Sequence, residues 1–380
     1  MGKKAILIFL LLIVLLSARF IYSTIATYDY AIQKRTEIAS KKYRDIHVAV
    51  VWDKNDKSFM DGISLALKEI NEQGIMIKSN NTSKAQIVLH EYDDSTPQSA
   101  QQSSLDIAND HRIVAVIGHS TSASAIPASI TYEYNGVLFI SIVATAPILT
   151  DHGFKYTFST IPTDNSFADK VIEYALQRKW YKLLVLHARN HYGRNMYNRF
   201  ASQIRPPLEM VYSKSFFDEE TDYRAIIFEL MKKDFDAVLL GAMDENAAQM
   251  IKQLREMGMD KPILGGDGLD NKKIWGWSEH NANNMYASSI FVHDADFVKK
   301  FNLIEDQYTG YVVSQAYEAL HILADAIQKT GSSDPILVAS TLLYSYKQGY
   351  KGYAFDTKGL ITNKELYIKE MKDGNFIKIE

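Results

Sequence analysis

From residue 46 onward, short runs of Val, Ile and Leu alternate with longer stretches in which apolar residues recur at helical spacing. An apolar run of five to seven residues suits a strand buried on both faces, and the helix-spaced stretch after it suits the crossover to a parallel neighbour. The spacing predicts strands at 46–52, 86–92, 114–118 and 137–143. Between them it predicts helices at 58–73, with Ile63, Leu65, Leu67 and Ile70 near one side, at 97–109 and at 122–134.

The pattern then restarts. Helices are predicted at 164–178, 192–204, 222–232 and 245–257, and strands at 182–188, 210–216, 237–241, 262–265 and 285–291. Helical spacing returns at 296–304, 311–329 and 334–346, followed by short strands at 352–355 and 366–370. The fold class expected is α/β, with two doubly wound, Rossmann-like lobes joined by crossover hinges. Neither a Gly/Ser nor a Pro-rich linker separates the halves, so short crossings are expected rather than a tether. Returning the late helices to the first half assigns 46–163 with 292–355 to lobe 1, and 164–291 with 356–380 to lobe 2. Ligands of such sheets bind beyond the carboxyl ends of the strands, which makes the cleft between the lobes the expected site.

The first 45 residues differ in kind. They hold eight Lys or Arg against three acids, and Lys3 and Lys4 precede an apolar run from Ala5 to Leu16. A charged start before about a dozen apolar residues is the pattern of an export signal, or of an uncleaved anchor if Phe20 to Ile25 extends it. Residues 1–26 are read as that signal or anchor, and 27–45 as a polar juxtamembrane stretch with some helical character. The 380-residue chain has a net charge of −3, which leaves no positive field for nucleic acid. It has no cysteine, which excludes disulfides, thiolate chemistry and a lipidated N-terminal Cys. Its histidines, including His187, His191 and His293, show no metal-ligand spacing, and nothing calls for a cofactor. Asp218-Glu219-Glu220 fits a solvated loop, and the Asn80-Asn81-Thr82-Ser83 sequons a surface turn.

Candidate chemistry gathers at predicted strand ends. Gly118-His119-Ser120-Thr121-Ser122 places hydroxyls at a helix start, where free backbone N–H groups favour an anion. Ser120 or Ser122 also suits a plain helix cap. Ala144-Thr145 offers an amide and a hydroxyl after the next strand. Asp164 begins a helix and suits either a cap or a contact to an ammonium group, while Asp267 sits on the glycine-flanked loop Gly265-Gly266-Asp267-Gly268. Hydroxyls and helix N–H groups on one lobe with carboxylates on the other complement a zwitterion, which points to an α-amino acid or related carboxylate.

Several ordered landmarks join these residues: Tyr92-Asp93-Asp94, Val116-Ile117-Gly118-His119, Pro127-Ala128-Ser129, Ile140-Ser141, Leu149-Thr150, His191-Tyr192-Gly193, and Gly352 with Phe355-Asp356 and Gly359. In that order the chain, over about 46–380, resembles the type I periplasmic binding proteins, in the branch that binds leucine, isoleucine and valine for ABC transporters. The resemblance implies that Ser122 and Thr145, with the Thr145 amide and the Val143 carbonyl, hold a ligand's α-carboxylate and α-amino group. It implies that Asp164 and Asp267 face the ammonium, that Tyr192 lines the cleft, and that Phe59, Thr121 and Tyr311 approach the ligand side chain. Met243 stands where the family often has tyrosine, and Asp267 where leucine-type members carry Glu. Two cysteines that commonly form a disulfide are replaced by Thr96 and Thr121. The implied partners are an ABC transporter permease and, through an uncleaved N-terminal helix, the membrane.

Two other functions fit parts of the sequence. A sensor of the same fold would signal through a receptor partner. Gly118-His119-Ser120-Thr121-Ser122 also approaches the G-x-S-x-G elbow of serine hydrolases, with Asp267 and His280 or His293 following in chain order.

Overall fold

A computed structural model describes residues 30–40, 45–77, 84–291, 311–346 and 349–379, with isolated positions 13, 17 and 299. The segment at 1–26, the helix at 296–304, His293 and the Asn80 to Ser83 sequons thus lie outside the described residues, bar those isolated positions. Among the described residues no helix is long and apolar enough to cross a membrane.

The first sheet is five-stranded and parallel. Its strands are β1 (Ile46–Trp52), β4 (Ile87–Asp93), β5 (Ile113–Gly118), β6 (Leu138–Ser141) and β7 (Thr157–Ser159), in the order β4-β1-β5-β6-β7. Both faces are covered, which explains the unbroken apolar runs. Val48 and Val50 of β1 pack with Ile117, Phe158, Leu320 and Leu323, whereas Ala49 and Val51 pack on the other face with Ile107, Phe139 and Tyr132. The covering helices are α2 (Ser58–Gln73), α3 (Pro97–Asn109), α4 (Ser122–Asn135), α11 (Val312–Thr330) and α12 (Pro335–Tyr344). On α2 the buried stripe is Phe59, Gly62, Ile63, Ala66 and Ile70, so Leu65 and Leu67 only flank it. A helix over residues 30–39, α1, lies beneath this sheet, and a small hairpin pairs β2 (Ile75–Met76) with β3 (Lys84–Ala85).

The second sheet repeats the plan. Parallel strands β8 (Lys182–Ala188), β9 (Glu209–Phe216), β10 (Ala237–Gly241), β11 (Ile263–Gly265) and β12 (Met285–Ser289) are extended by antiparallel β13 (Tyr367–Lys372) and β14 (Asn375–Lys378), in the order β14-β13-β12-β11-β10-β8-β9. Helices α6 (Asp164–Gln177), α7 (His191–Gln203), α8 (Arg224–Leu230), α9 (Asp244–Glu256) and the short α10 (Lys273–Trp277) cover it, while the short α5 (Ile148–Asp151) packs through Leu149 with the first sheet. Each parallel portion has its first strand between its second and third, so the winding direction reverses beside β1 and beside β8.

Ile161, Ile290, Phe291, Tyr311 and Leu366, from the passages between the sheets, pack into one apolar cluster with Phe167. The segment at 352–355 is not a strand as its sequence suggested. Tyr350–Gly352 forms a 3-10 turn, and Phe355 makes only an isolated bridge to Ile361, which itself packs with the first-sheet core.

Candidate functional site

A cavity of about 580 Å³ lies where the carboxyl ends of the two parallel sheets converge. Trp52 ends β1, Ser120 to Ala123 follow β5, and Val143 and Thr145 follow β6. From the other sheet come Asn190, Tyr192 and Asn195 after β8, Met243 after β10, and Asp267 after β11. Asp164 opens α6. A second hollow, about 720 Å³ between α3 and α4, receives strand ends from one sheet only.

On the first-sheet side, Gly118 has φ +138°, and a Cβ there would lie 2.0 Å from the Val51 carbonyl oxygen. Glycine therefore lets β5 run close beside β1 and turn sharply into α4. The helix cap is Thr121, not Ser120 or Ser122: its hydroxyl accepts from the Ser124 amide at 3.1 Å. Ser122 is left to the cavity, where its Oγ accepts from the Ala146 amide at 3.4 Å.

The second-sheet side is acidic. Asp164 is 1% exposed; its Oδ2 accepts from Asn195 Nδ2 at 2.9 Å, and its backbone amide donates to the Thr145 carbonyl oxygen at 2.8 Å. Its Oδ1 has no partner among the described residues. Asp164 does not cap α6, since Thr163 holds the N-cap position and the cap lacks a side-chain bond. Burial raises its pKa. Asp267 accepts from the Tyr192 hydroxyl at 3.2 Å and the Tyr311 hydroxyl at 3.4 Å. Burial and the nearby Asp164 charge push it up to about 7. The flanking glycines have a steric reason, because a Cβ on Gly266 or Gly268 would lie 2.7 or 2.8 Å from the Tyr192 hydroxyl. That hydroxyl also accepts from the Gly268 amide at 2.9 Å.

Nine of the ten residues expected at the site thus line one cavity: Thr121, Ser122, Val143, Thr145, Asp164, Tyr192, Met243, Asp267 and Tyr311. Phe59 does not. It is fully buried, and Trp52 stacks over it with ring centroids 4.6 Å apart, so the indole presents the aromatic wall. Trp52 gave no separate signal in the sequence because it reads as the last apolar residue of a strand. Asn195 was also missed, although it lies three residues after Tyr192 on one helix face. Asp244, Asp270 and Asn271 complete the second-sheet side; Asp270 is held by Lys369 at 2.6 Å and by the Ser289 hydroxyl.

Among the described residues no Lys or Arg lines the cavity, and no group of three or more His, Asp or Glu is disposed to hold a metal. Two carboxylates, one with an unpartnered oxygen, face hydroxyls and the first turn of a helix. That arrangement accepts an ammonium group beside an anion.

Among the described residues, which exclude His293, the hydrolase elements do not assemble. His119 is occupied on both ring nitrogens, by Asp94 at 3.2 Å and the Tyr132 hydroxyl at 2.9 Å, and His280 packs against Trp275 rather than in the cavity.

Residues 53–374 match the periplasmic binding protein family. The chain belongs to that family. Its relatives place it in the leucine/isoleucine/valine-binding branch, whose members are exported substrate-binding proteins and not enzymes. It is 27% identical to the leucine-, isoleucine-, valine-, threonine- and alanine-binding protein of Pseudomonas aeruginosa, covering 81% of this chain and 83% of that one. It is 29% identical to the leucine-specific-binding protein of Salmonella typhimurium, covering 77% and 81%. Among solved structures, an ABC transporter substrate-binding protein from Desulfitobacterium hafniense in complex with Leu superposes with a TM-score of 0.76, at 24% identity, covering 88% of this chain and all of that one. The branched-chain amino acid transporter substrate-binding protein from Streptococcus pneumoniae, in complex with isoleucine, gives 0.74 at 24% identity and the same coverage.

Proposed function

We propose that this periplasmic binding protein captures an α-amino acid, or a closely related carboxylate, between its two lobes and delivers it to an ABC transporter permease. The observation that carries this reading is the pair Asp164 and Asp267, set in a cavity without Lys or Arg among the described residues and opposite Ser122 and the first turn of α4. The ammonium sits against the two carboxylates. The ligand carboxylate takes the Ser122 hydroxyl and the Thr145 amide. Trp52, Thr121 and Tyr311 bound the ligand side chain, and Met243 leaves one hydroxyl contact unfilled. The relatives named for aliphatic amino acids support this class.

Lobe 1 is 46–163 with the late helices and lobe 2 is 164–291 with the terminal strands; the packing of Ile361 in the first core favours a last crossing after that residue, beyond the Phe355 boundary expected from sequence. A ligand bridging the lobes favours closure in proportion to its differential affinity for the closed form. Residues 1–26 act as the export signal or the membrane anchor.

Isothermal titration with L-leucine, L-isoleucine, L-valine and L-alanine, paired with small-angle scattering, tests both parts. Saturable binding with a smaller radius of gyration is expected. Silence across the four amino acids removes the ligand assignment, and binding without compaction removes the hinge.

A further inference from the structure

The first turn of α4 is a thin wall between two hollows. Thr121 and Ala123 line the cleft between the sheets and also the second cavity, about 720 Å³, between α3 and α4. The chain has no cysteine, so no disulfide spans that second cavity. The two N-cap threonines that line it act within their own helices: Thr96 accepts from the Ser99 amide at 3.0 Å, and Thr121 from the Ser124 amide at 3.1 Å.

Asp94 is what reaches the wall from the end of β4, on the far side of β1 from β5. It follows β4 directly, and one carboxylate oxygen accepts from the Ser120 amide at 2.8 Å, from the Ser124 hydroxyl at 3.0 Å and from His119 Nδ1 at 3.2 Å. The opposite nitrogen of His119 is bonded to the Tyr132 hydroxyl, further along α4, at 2.9 Å. The Asp94 and His119 side chains are both fully buried. Bonds to a buried charged acceptor are among the stronger polar ties in a protein, and here they converge on the turn that carries Ser122.

We infer that Asp94 is a positioning residue for ligand capture: by gathering the Ser120 amide and the Ser124 hydroxyl on one oxygen, it fixes where the Ser120 to Ser122 turn stands in the cleft and so sets the preference for a ligand carboxylate. The inference rests on the amino-acid reading of the cleft. Asp94 does not itself line that cleft. What the geometry requires of it is an acceptor, so asparagine should serve largely in its place and alanine should not.

The experiment uses the full chain with Asp94→Ala, Asp94→Asn and Ser124→Ala, the last removing one donor without disturbing the buried carboxylate. Hydrogen exchange of the ligand-free proteins reads the wall directly. Calorimetry with L-leucine and with L-leucinamide, which keeps the amine and loses the carboxylate, reads its consequence. Asp94→Ala should lose protection at residues 119–125 selectively, weaken L-leucine about tenfold or more and change L-leucinamide less than about threefold, with Asp94→Asn close to the parent. Should Asp94→Ala fail to fold, Ser124→Ala should show the same selective pattern at smaller size. Unchanged exchange at 119–125, equal losses for both probes, or Asp94→Asn behaving like alanine overturns the inference. If the parent binds neither probe, the amino-acid reading has failed and with it the carboxylate preference; the exchange pattern still decides whether Asp94 holds the wall.

Discussion

Asp164 and Asp267 face the same cavity, and the charge on the first raises the pKa of the second. Burial acts in the same direction on both. A carboxyl group whose folded pKa is raised binds its proton more tightly in the native state than in the unfolded chain. Its contribution to stability therefore falls as pH rises from the ordinary carboxylate range through about 7. The ligand-free protein should lose on the order of 4 kcal/mol from Asp267 across that window. Asp267→Asn should flatten the loss, which a comparison of melting temperatures at pH 5 and pH 8 would register. A ligand ammonium favours the ionised form, so amino-acid binding should release a proton near pH 6 and tighten toward pH 8. Calorimetry in buffers of different ionisation enthalpy measures that release.

Asp164 has one oxygen held by Asn195 and the other without a partner among the described residues. Asp164→Ala should weaken amino-acid binding by about 1.5–3 kcal/mol, the range for a hydrogen bond to a charged group. Asn195→Ala should cost less, about 1 kcal/mol, because it releases the carboxylate without deleting it. Unchanged calorimetric affinity in Asp164→Ala would remove this residue from the site.

Trp52 and Phe59 separate two effects that adjacent aromatics often confound. Phe59 is fully buried, so Phe59→Ala should destabilise the fold by about 3–5 kcal/mol in urea denaturation. Trp52 is 7% exposed and also lines the cleft above it, so Trp52→Ala should lose stability as well and, unlike Phe59→Ala, change ligand preference. A change of ligand preference in Phe59→Ala as large as that in Trp52→Ala would contradict this division.

This pair also shows where the sequence stopped being readable. Strand ends followed by helix starts locate Ser122, Thr145, Asp164 and Asp267, because a doubly wound fold brings such positions to one edge. Whether residue 52 or residue 59 turns toward that edge depends on how α2 is seated on β1, which spacing does not encode. The three-residue strand Thr157–Ser159 is too short for its alternation to be recognised. Cap assignments failed for a similar reason: Ser120, Thr121 and Ser122 are all competent caps, and only the backbone turn at Gly118 selects Thr121.

Helix α1 is legible as some helical character in 27–45, but its packing is concealed, since Ala31 and Arg35 are its buried residues. Arg35 is 1% exposed and donates to the carbonyl oxygens of Ala108 at 2.8 Å, Asp110 at 2.9 Å, Ile113 at 2.6 Å and Asn135 at 3.1 Å. These carbonyls close the C-terminal ends of α3 and α4 and open β5, at the opposite end of that strand from the cleft. Burial lowers the guanidinium to about 10, so it stays charged at neutral pH and complements both helix ends. Arg35→Ala leaves four carbonyls without this donor, and about 2–4 kcal/mol of stability should be lost, partly offset by water entering the gap. Affinity for an amino acid should change less than about threefold, because the contacts lie far from the cavity. A truncated chain beginning at residue 46 should show the same loss of stability, and one beginning at residue 27 should not. Equal urea midpoints for the two truncations would mean that α1 contributes nothing to the lobe it underlies.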